Sequence, residues 1–201
     1  MRIALFGGSF DPPHRGHLAI ARAAARQYSL DQVLLAPTGL QPLKPGGPVA
    51  SFADRLVMVG LLCAEDLHLS PSNIDAPLPN HRPNYTVDTL RRLREQYPTA
   101  NLFNLIGADS FNTLGHWHEP HHALALAEWI VVSRPGYTLA DPEGLSLTPD
   151  ERTRIHLLDT IHEDVSATAL RARLALGDPC PGLLPGPIAA YIQHYELYQS
   201  R

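Results

Sequence analysis

Long hydrophobic runs are missing from this 201-residue chain. No stretch approaches the ~20 consecutive apolar residues of a membrane-spanning helix, so none is expected to cross a bilayer. The first apolar run is too short for a secretory signal and breaks at glycine, which leaves a reducing cytoplasm as the expected location. Cysteine is scarce: Cys63 and Cys180 are the only two and form no C-x-x-C. A disulfide framework is therefore not expected, and Cys63, in an apolar helical run, reads as core. Charge is sparse too, at 18% of residues with a formal net charge of −4. A general nucleic-acid surface would be basic, so any polyanionic ligand has to be held by a local cluster. Two common phosphate-loop spellings are absent. There is no G-x-x-x-x-G-K-[ST], and no third glycine where G-x-G-x-x-G needs one.

What is present suits an ordinary globular protein, with 44% hydrophobic residues and enough length for a single domain, 1–201, with a sizeable core. Short apolar runs alternate with helical ones. Strands are predicted over Arg2–Phe6, Gln32–Ala36, weakly His68–Ile74, Leu102–Ile106, Trp129–Val132 and Ile155–Leu158. Helices are predicted after His17, over Phe52–Ala64 capped by Ser51, over Val87–Gln96 capped by Thr86, from Ser166 onward, and over Ile188–Leu197. On the second of these, Leu56, Val59, Gly60 and Cys63 are expected to share one face. This order predicts an α/β, doubly wound (Rossmann-like) parallel sheet with helices on both faces and a small C-terminal helical portion. Proline-broken loops around Lys44 and Asp75 are expected to be movable, and residues 137–153 to be irregular or to hold a short helix.

Ligands of such sheets bind beyond the carboxyl ends of the strands, where the first crossing reads Phe6-Gly7-Gly8-Ser9-Phe10-Asp11-Pro12-Pro13-His14-Arg15-Gly16-His17. The paired glycines allow a sharp turn with open backbone N–H groups. Asp11 before two prolines reads as a helix cap, and His14 and His17, three apart, would share one face beside a helix N-terminus. Two imidazoles at that end suit phosphate oxygens. A second such place is Val165-Ser166-Ala167-Thr168-Ala169-Leu170-Arg171, where Ser166 caps and Thr168 and Arg171 lie on one face. Leu170 and Leu174 form the opposing apolar stripe. An arginine fork beside a helix start suits a phosphate chain.

Gly7 to His17 resembles the GG-[ST]-FDP-x-H-x-GH signature of the H-x-G-H nucleotidyltransferase superfamily, in the form similar to the bacterial nicotinate-nucleotide adenylyltransferase family. Val165 to Arg171 resembles its second signature, [IV]-S-[AST]-T-x-x-R. The resemblance implies adenylyl transfer from ATP to nicotinate mononucleotide, with release of pyrophosphate and with Mg²⁺ on the ATP phosphates. It implies catalytic roles for His14, His17 and Arg171, and ATP contacts from Gly7, Gly8, Ser9, Phe10, Gly107, Asp109, Ser166, Thr168 and Arg171. Lys44 would face the mononucleotide phosphate, Tyr85-Thr86 would receive the nicotinate carboxylate, Trp117 would stack on the pyridine ring, and Arg134 would add a substrate contact. In the family a histidine usually precedes the basic residue. Here Leu43 stands in its place.

Other readings remain open on the residues alone: transfer to nicotinamide mononucleotide or phosphopantetheine, and a nucleotide-binding module without turnover. The run His116-Trp117-His118-Glu119-Pro120-His121-His122 could hold zinc if its side chains converged. Its spacing matches no spaced metal motif, and no metal-ligating residue is assigned.

Overall fold

A computed structural model describes residues 1–43, 46–133, 138, 140–159 and 165–199. Lys44 and Arg134 lie outside them. Six strands form one sheet: β1 Arg2–Gly8, β2 Gln32–Pro37, β3 Leu69–Pro71, β4 Asn101–Gly107, β5 Glu128–Val132 and β6 Ile155–Leu158. Every pairing is parallel, in the order β3-β2-β1-β4-β5-β6. β1 and β4 are adjacent, with connections leaving in opposite directions. The crevice beyond their carboxyl ends is where a doubly wound sheet binds its ligand.

Helices cover both faces, as the sequence predicts. Against one face lie α1 (Arg15–Gln27), α2 (Phe52–Cys63), α7 (Ala167–Ala175) and α8 (Gly186–His194), around a core that includes Phe6, Leu35, Met58, Leu105, Leu170 and Ile188. Against the other lie α3 (Thr86–Gln96) and α5 (Pro120–Leu126), around Leu5, Leu90, Leu102, Phe111 and Trp129. The short α4 (Ala108–Asn112) follows β4 directly, and α6 (Pro149–Thr153) is the short helix expected in the irregular stretch. Among the described residues no helix is long and apolar enough to cross a membrane.

Several expectations are corrected. The buried side of α2 is Arg55, Met58, Val59, Leu62 and Cys63, which includes Val59 and Cys63 of the face read from sequence. Met58, Val59, Leu62 and Cys63 already have helical spacing, and Arg55, three residues before Met58, extends the same face. Thr86 is the first residue of α3, and its cap position is Tyr85. β3 keeps only three residues of the predicted run. Asp75, on the loop expected to move, is 8% exposed and accepts the Thr89 hydroxyl at 2.7 Å. Asn84 ties that loop to the one after β2. Its side chain accepts from Leu40 N–H and donates to the carbonyls of Asp75 and Ala76. At Gly39 a Cβ would stand 2.5 Å from Pro77 N, so only glycine lets the two loops approach this closely.

Candidate active site

The signature loop runs from the end of β1 into α1, and its charged residue turns inward. Asp11 is not the helix cap. It is 2% exposed, and its carboxylate accepts Val49 N–H at 2.7 Å, Ala50 N–H at 3.1 Å and the Tyr198 hydroxyl at 2.7 Å. Beside it Arg55, 1% exposed, donates to the carbonyl oxygens of Ser9 and Ala50. Burial draws the Arg55 guanidinium down from its ordinary value, while the charges of Asp11 and Tyr198 push it back up. Burial and the Asp11 carboxylate both raise the Tyr198 phenol. A buried carboxylate satisfied on both oxygens fixes the loop from inside. Tyr198→Phe removes one of its donors and is expected to lower stability by about 1–3 kcal/mol, measured by urea unfolding.

The cap position of α1 is His14. Its ring and that of His17 lie with centroids 3.7 Å apart. Gly16 leaves the His14 ring room, since a Cβ there would stand 3.0 Å from His14 Nδ1 and press on it. Phe10 adopts left-handed backbone at φ 48° and is 1% exposed, with its ring 4.8 Å from that of His17. The Phe10 side chain therefore supports the imidazole from inside.

His14 N–H donates to His17 Nδ1 at 3.2 Å. A ring nitrogen that accepts carries no proton, so neutral His17 presents its N–H at Nε2. Burial pulls His14 down to about 4, and burial followed by the charge of His14 pulls His17 well below its ordinary value. At neutral pH the ligand-free pair is thus uncharged, and two stacked rings do not repel. Between the ordinary histidine value and about 4, the unfolded chain takes up a proton at His14 that the folded one refuses. Stability must therefore fall as pH falls through that window, by up to about 3 kcal/mol from His14. Urea unfolding between neutral pH and about pH 4.5 should show this slope, and His14→Asn should flatten it.

The second signature arrives at the same loop. Ser166 caps α7 by accepting Ala169 N–H, and Leu170 and Leu174 are buried. Arg171 Nη1 donates to the Asp11 carbonyl at 2.7 Å, and Nη2 to the Thr168 hydroxyl at 3.2 Å. Val165 lies 3.6 Å from where a Gly16 Cβ would be, so the segment entering α7 rests on the start of α1.

Beside this shelf, beyond the ends of β1 and β4, opens a cavity of about 630 Å³, within the usual size of ligand sites. Gly7, Gly107, Asp109, Tyr85, Thr86 and Trp117, all singled out from sequence, line it. His14, His17, Ser166, Thr168 and Arg171 are not among its lining residues. They form the adjoining shelf around the signature loop. Trp117 donates its indole N–H to Thr113 and leans on Trp129, with centroids 6.0 Å apart. Sequence reasoning missed the polar floor of the cavity, made by Thr38, Asp75, Asn84, Thr89 and Asn104. A polar residue within Leu102-Phe103-Asn104-Leu105-Ile106 was the available signal.

The four histidines around Trp117 do not converge. His116 approaches Glu143, His118 and His122 approach Glu119, and His121 approaches Glu151. Among the described residues no three His, Cys, Asp or Glu side chains are grouped to hold a metal ion.

A family model described as cytidylyltransferase-like matches residues 5–173. A probable nicotinate-nucleotide adenylyltransferase of Gloeobacter violaceus is 40% identical over 200 residues, covering 98% of this chain and 96% of the relative. A relative of the same name from Streptomyces coelicolor is 38% identical, covering 96% and 99%. Among solved structures, a Plasmodium falciparum nicotinic acid mononucleotide adenylyltransferase complexed with NaAD superposes with a TM-score of 0.74. Its 15% identity spans 98% of this chain and 97% of that one, which is a likeness of fold. With two signatures folded against one crevice and relatives matched along their whole length, the chain belongs to the cytidylyltransferase-like family, beside the nicotinate-nucleotide adenylyltransferases.

Proposed function

We propose that this protein transfers the adenylyl group of ATP to nicotinate mononucleotide. The observation that carries the reading is the bond from Arg171 Nη1 to the Asp11 carbonyl, across 160 residues of chain, which joins the two signatures on one side of the molecule. The 5′-phosphate of the mononucleotide attacks the α-phosphorus of ATP in line. A new P–O bond forms, the bond to the β-phosphate oxygen breaks, and pyrophosphate leaves with that electron pair. The attacking phosphate is already ionised at neutral pH, so the step needs positioning and charge stabilisation rather than a base.

His14 and His17 donate ring N–H groups to the α-phosphate oxygens as charge builds there. Arg171, Thr168 and Ser166 hold the β- and γ-phosphates, and Gly7, Gly8, Ser9 and the backbone of Phe10 reach the nucleotide. Gly107 and Asp109 attend the adenosine. Tyr85 and Thr86 meet the nicotinate carboxylate, and Trp117 covers the ring. Lys44 and Arg134 add positive charge toward the acceptor phosphate and substrate. Neutral imidazoles and a guanidinium are donors to anions, not ligands for a hard cation. Mg²⁺ is accordingly part of the MgATP substrate, held by its phosphates. The reaction is expected to run in the cytoplasm.

The test is pyrophosphate release from MgATP with nicotinate mononucleotide, nicotinamide mononucleotide or phosphopantetheine. The expected result is fastest turnover on the nicotinate acceptor. Preference for either of the others would replace the acceptor, and binding without release would make the protein a non-catalytic nucleotide module.

A further inference from the structure

The floor of the cavity holds a side chain that the reading above does not use. Asn104 lies in the middle of β4, is 2% exposed and lines the cavity, yet its Nδ2 is buried without a hydrogen-bond partner. An unpaired buried amide costs enough that native proteins rarely leave one. The residue directly across from it on β5 is Trp129, which is fully buried and whose indole Nε1 also lacks a partner. Register partners on parallel strands project to one face, and Leu5, the β1 partner of Asn104, lies in the same core cluster as Trp129. Two orphan donors thus stand on neighbouring strands under the ligand cavity.

One rotation of the Asn104 amide would give each of them a role. A half-turn about the terminal torsion of an asparagine exchanges oxygen and nitrogen at no steric cost. With Oδ1 turned toward β5 it can accept the Trp129 indole N–H, and Nδ2 then faces the cavity as a donor. An amide held in that sense favours a ligand group that only accepts. It disfavours one that brings its own N–H donors.

We propose that Asn104, oriented by Trp129, is a specificity-determining residue that reads the acid substituent on the substrate ring, in contact or through one bound water. This rests on the adenylyl-transfer reading. It adds a third residue to Tyr85 and Thr86 as readers of the carboxylate.

The test compares kcat and KM for nicotinate and nicotinamide mononucleotides, with KM for MgATP as control. Asn104→Leu, which removes the donor, is expected to reduce the acid-over-amide ratio of kcat/KM about tenfold, mostly through KM for the acid. Asn104→Asp keeps the shape and adds a repelling charge, so the ratio should fall further, by about 10²-fold. In both variants KM for MgATP should stay within about twofold of wild type. Trp129→Phe leaves Asn104 in place but frees its orientation, and it should lower the ratio several-fold even if an Asn104 variant does not fold. An unchanged ratio in the variants that fold, or an equal loss on both mononucleotides and on MgATP, overturns the assignment. Absent wild-type turnover on nicotinate mononucleotide would instead refute the function itself.

Discussion

His17→Ala is expected to lower kcat by about 10²–10³, the loss seen when one preorganised donor to transition-state charge is removed. The size follows from how this ring is held. Its Nδ1 is occupied by the His14 backbone N–H at 3.2 Å, and its faces are packed by Phe10 and His14. In the proposed mechanism the donor at Nε2 would therefore need no reorganisation when charge develops on the α-phosphate. Alanine leaves no group able to reach that point, and water in the gap would be neither aimed nor desolvated. KM for MgATP should change much less than kcat, because a donor aimed at developing charge acts mainly in the transition state. Steady-state pyrophosphate release measures both constants. A variant with near wild-type kcat would remove this imidazole from the mechanism.

Arg171→Ala is expected to lower kcat/KM for MgATP by about 10²–10³, and Arg171→Lys to recover little of it. The guanidinium spends one N–H on the Asp11 carbonyl at 2.7 Å and one on the Thr168 hydroxyl at 3.2 Å. In the proposed mechanism its three other donors would serve phosphate oxygens, in a plane already fixed. A lysine ammonium can occupy one of those positions, but it cannot bridge to Asp11 and present a fork at once. The side chain is 28% exposed, so folding stability should change little and the loss should be kinetic. Initial-rate kinetics of both variants, with thermal unfolding as the control, provide the measurement. A lysine variant close to wild type would show that charge alone suffices.

Much of this architecture was readable in the chain, for a local reason. Buried parallel strands are continuous apolar runs, and here β1 and β4 end at glycine, so Arg2–Gly8 and Asn101–Gly107 declare themselves. The two signatures were legible because each packs its functional residues within one turn of a helix start. What the sequence obscured depends on partners distant along the chain. Asp11 looks like a cap because it precedes prolines at a helix start. Only the approach of Val49, Ala50 and Tyr198 makes it the buried anchor of the loop. Arg55 was passed over in the α2 stripe because an arginine in an apolar face is normally surface, and its carbonyl partners come partly from Ser9. Asp75 sits among prolines that suggest mobility, yet Thr89 and Asn84 hold that loop. Lys44 and Arg134, read from motif alone, lie outside the described residues.

In the proposed mechanism two uncharged rings serve as phosphate donors beside an arginine. Nitrogen-15 spectra of the His14 and His17 side chains near neutral pH, recorded before and after adding MgATP, test it most directly. The expected result is a neutral His17 ring with its proton on Nε2 in the free protein, and movement of both imidazole signals when the nucleotide binds. A charged pair in the free protein, or rings indifferent to MgATP, would contradict it.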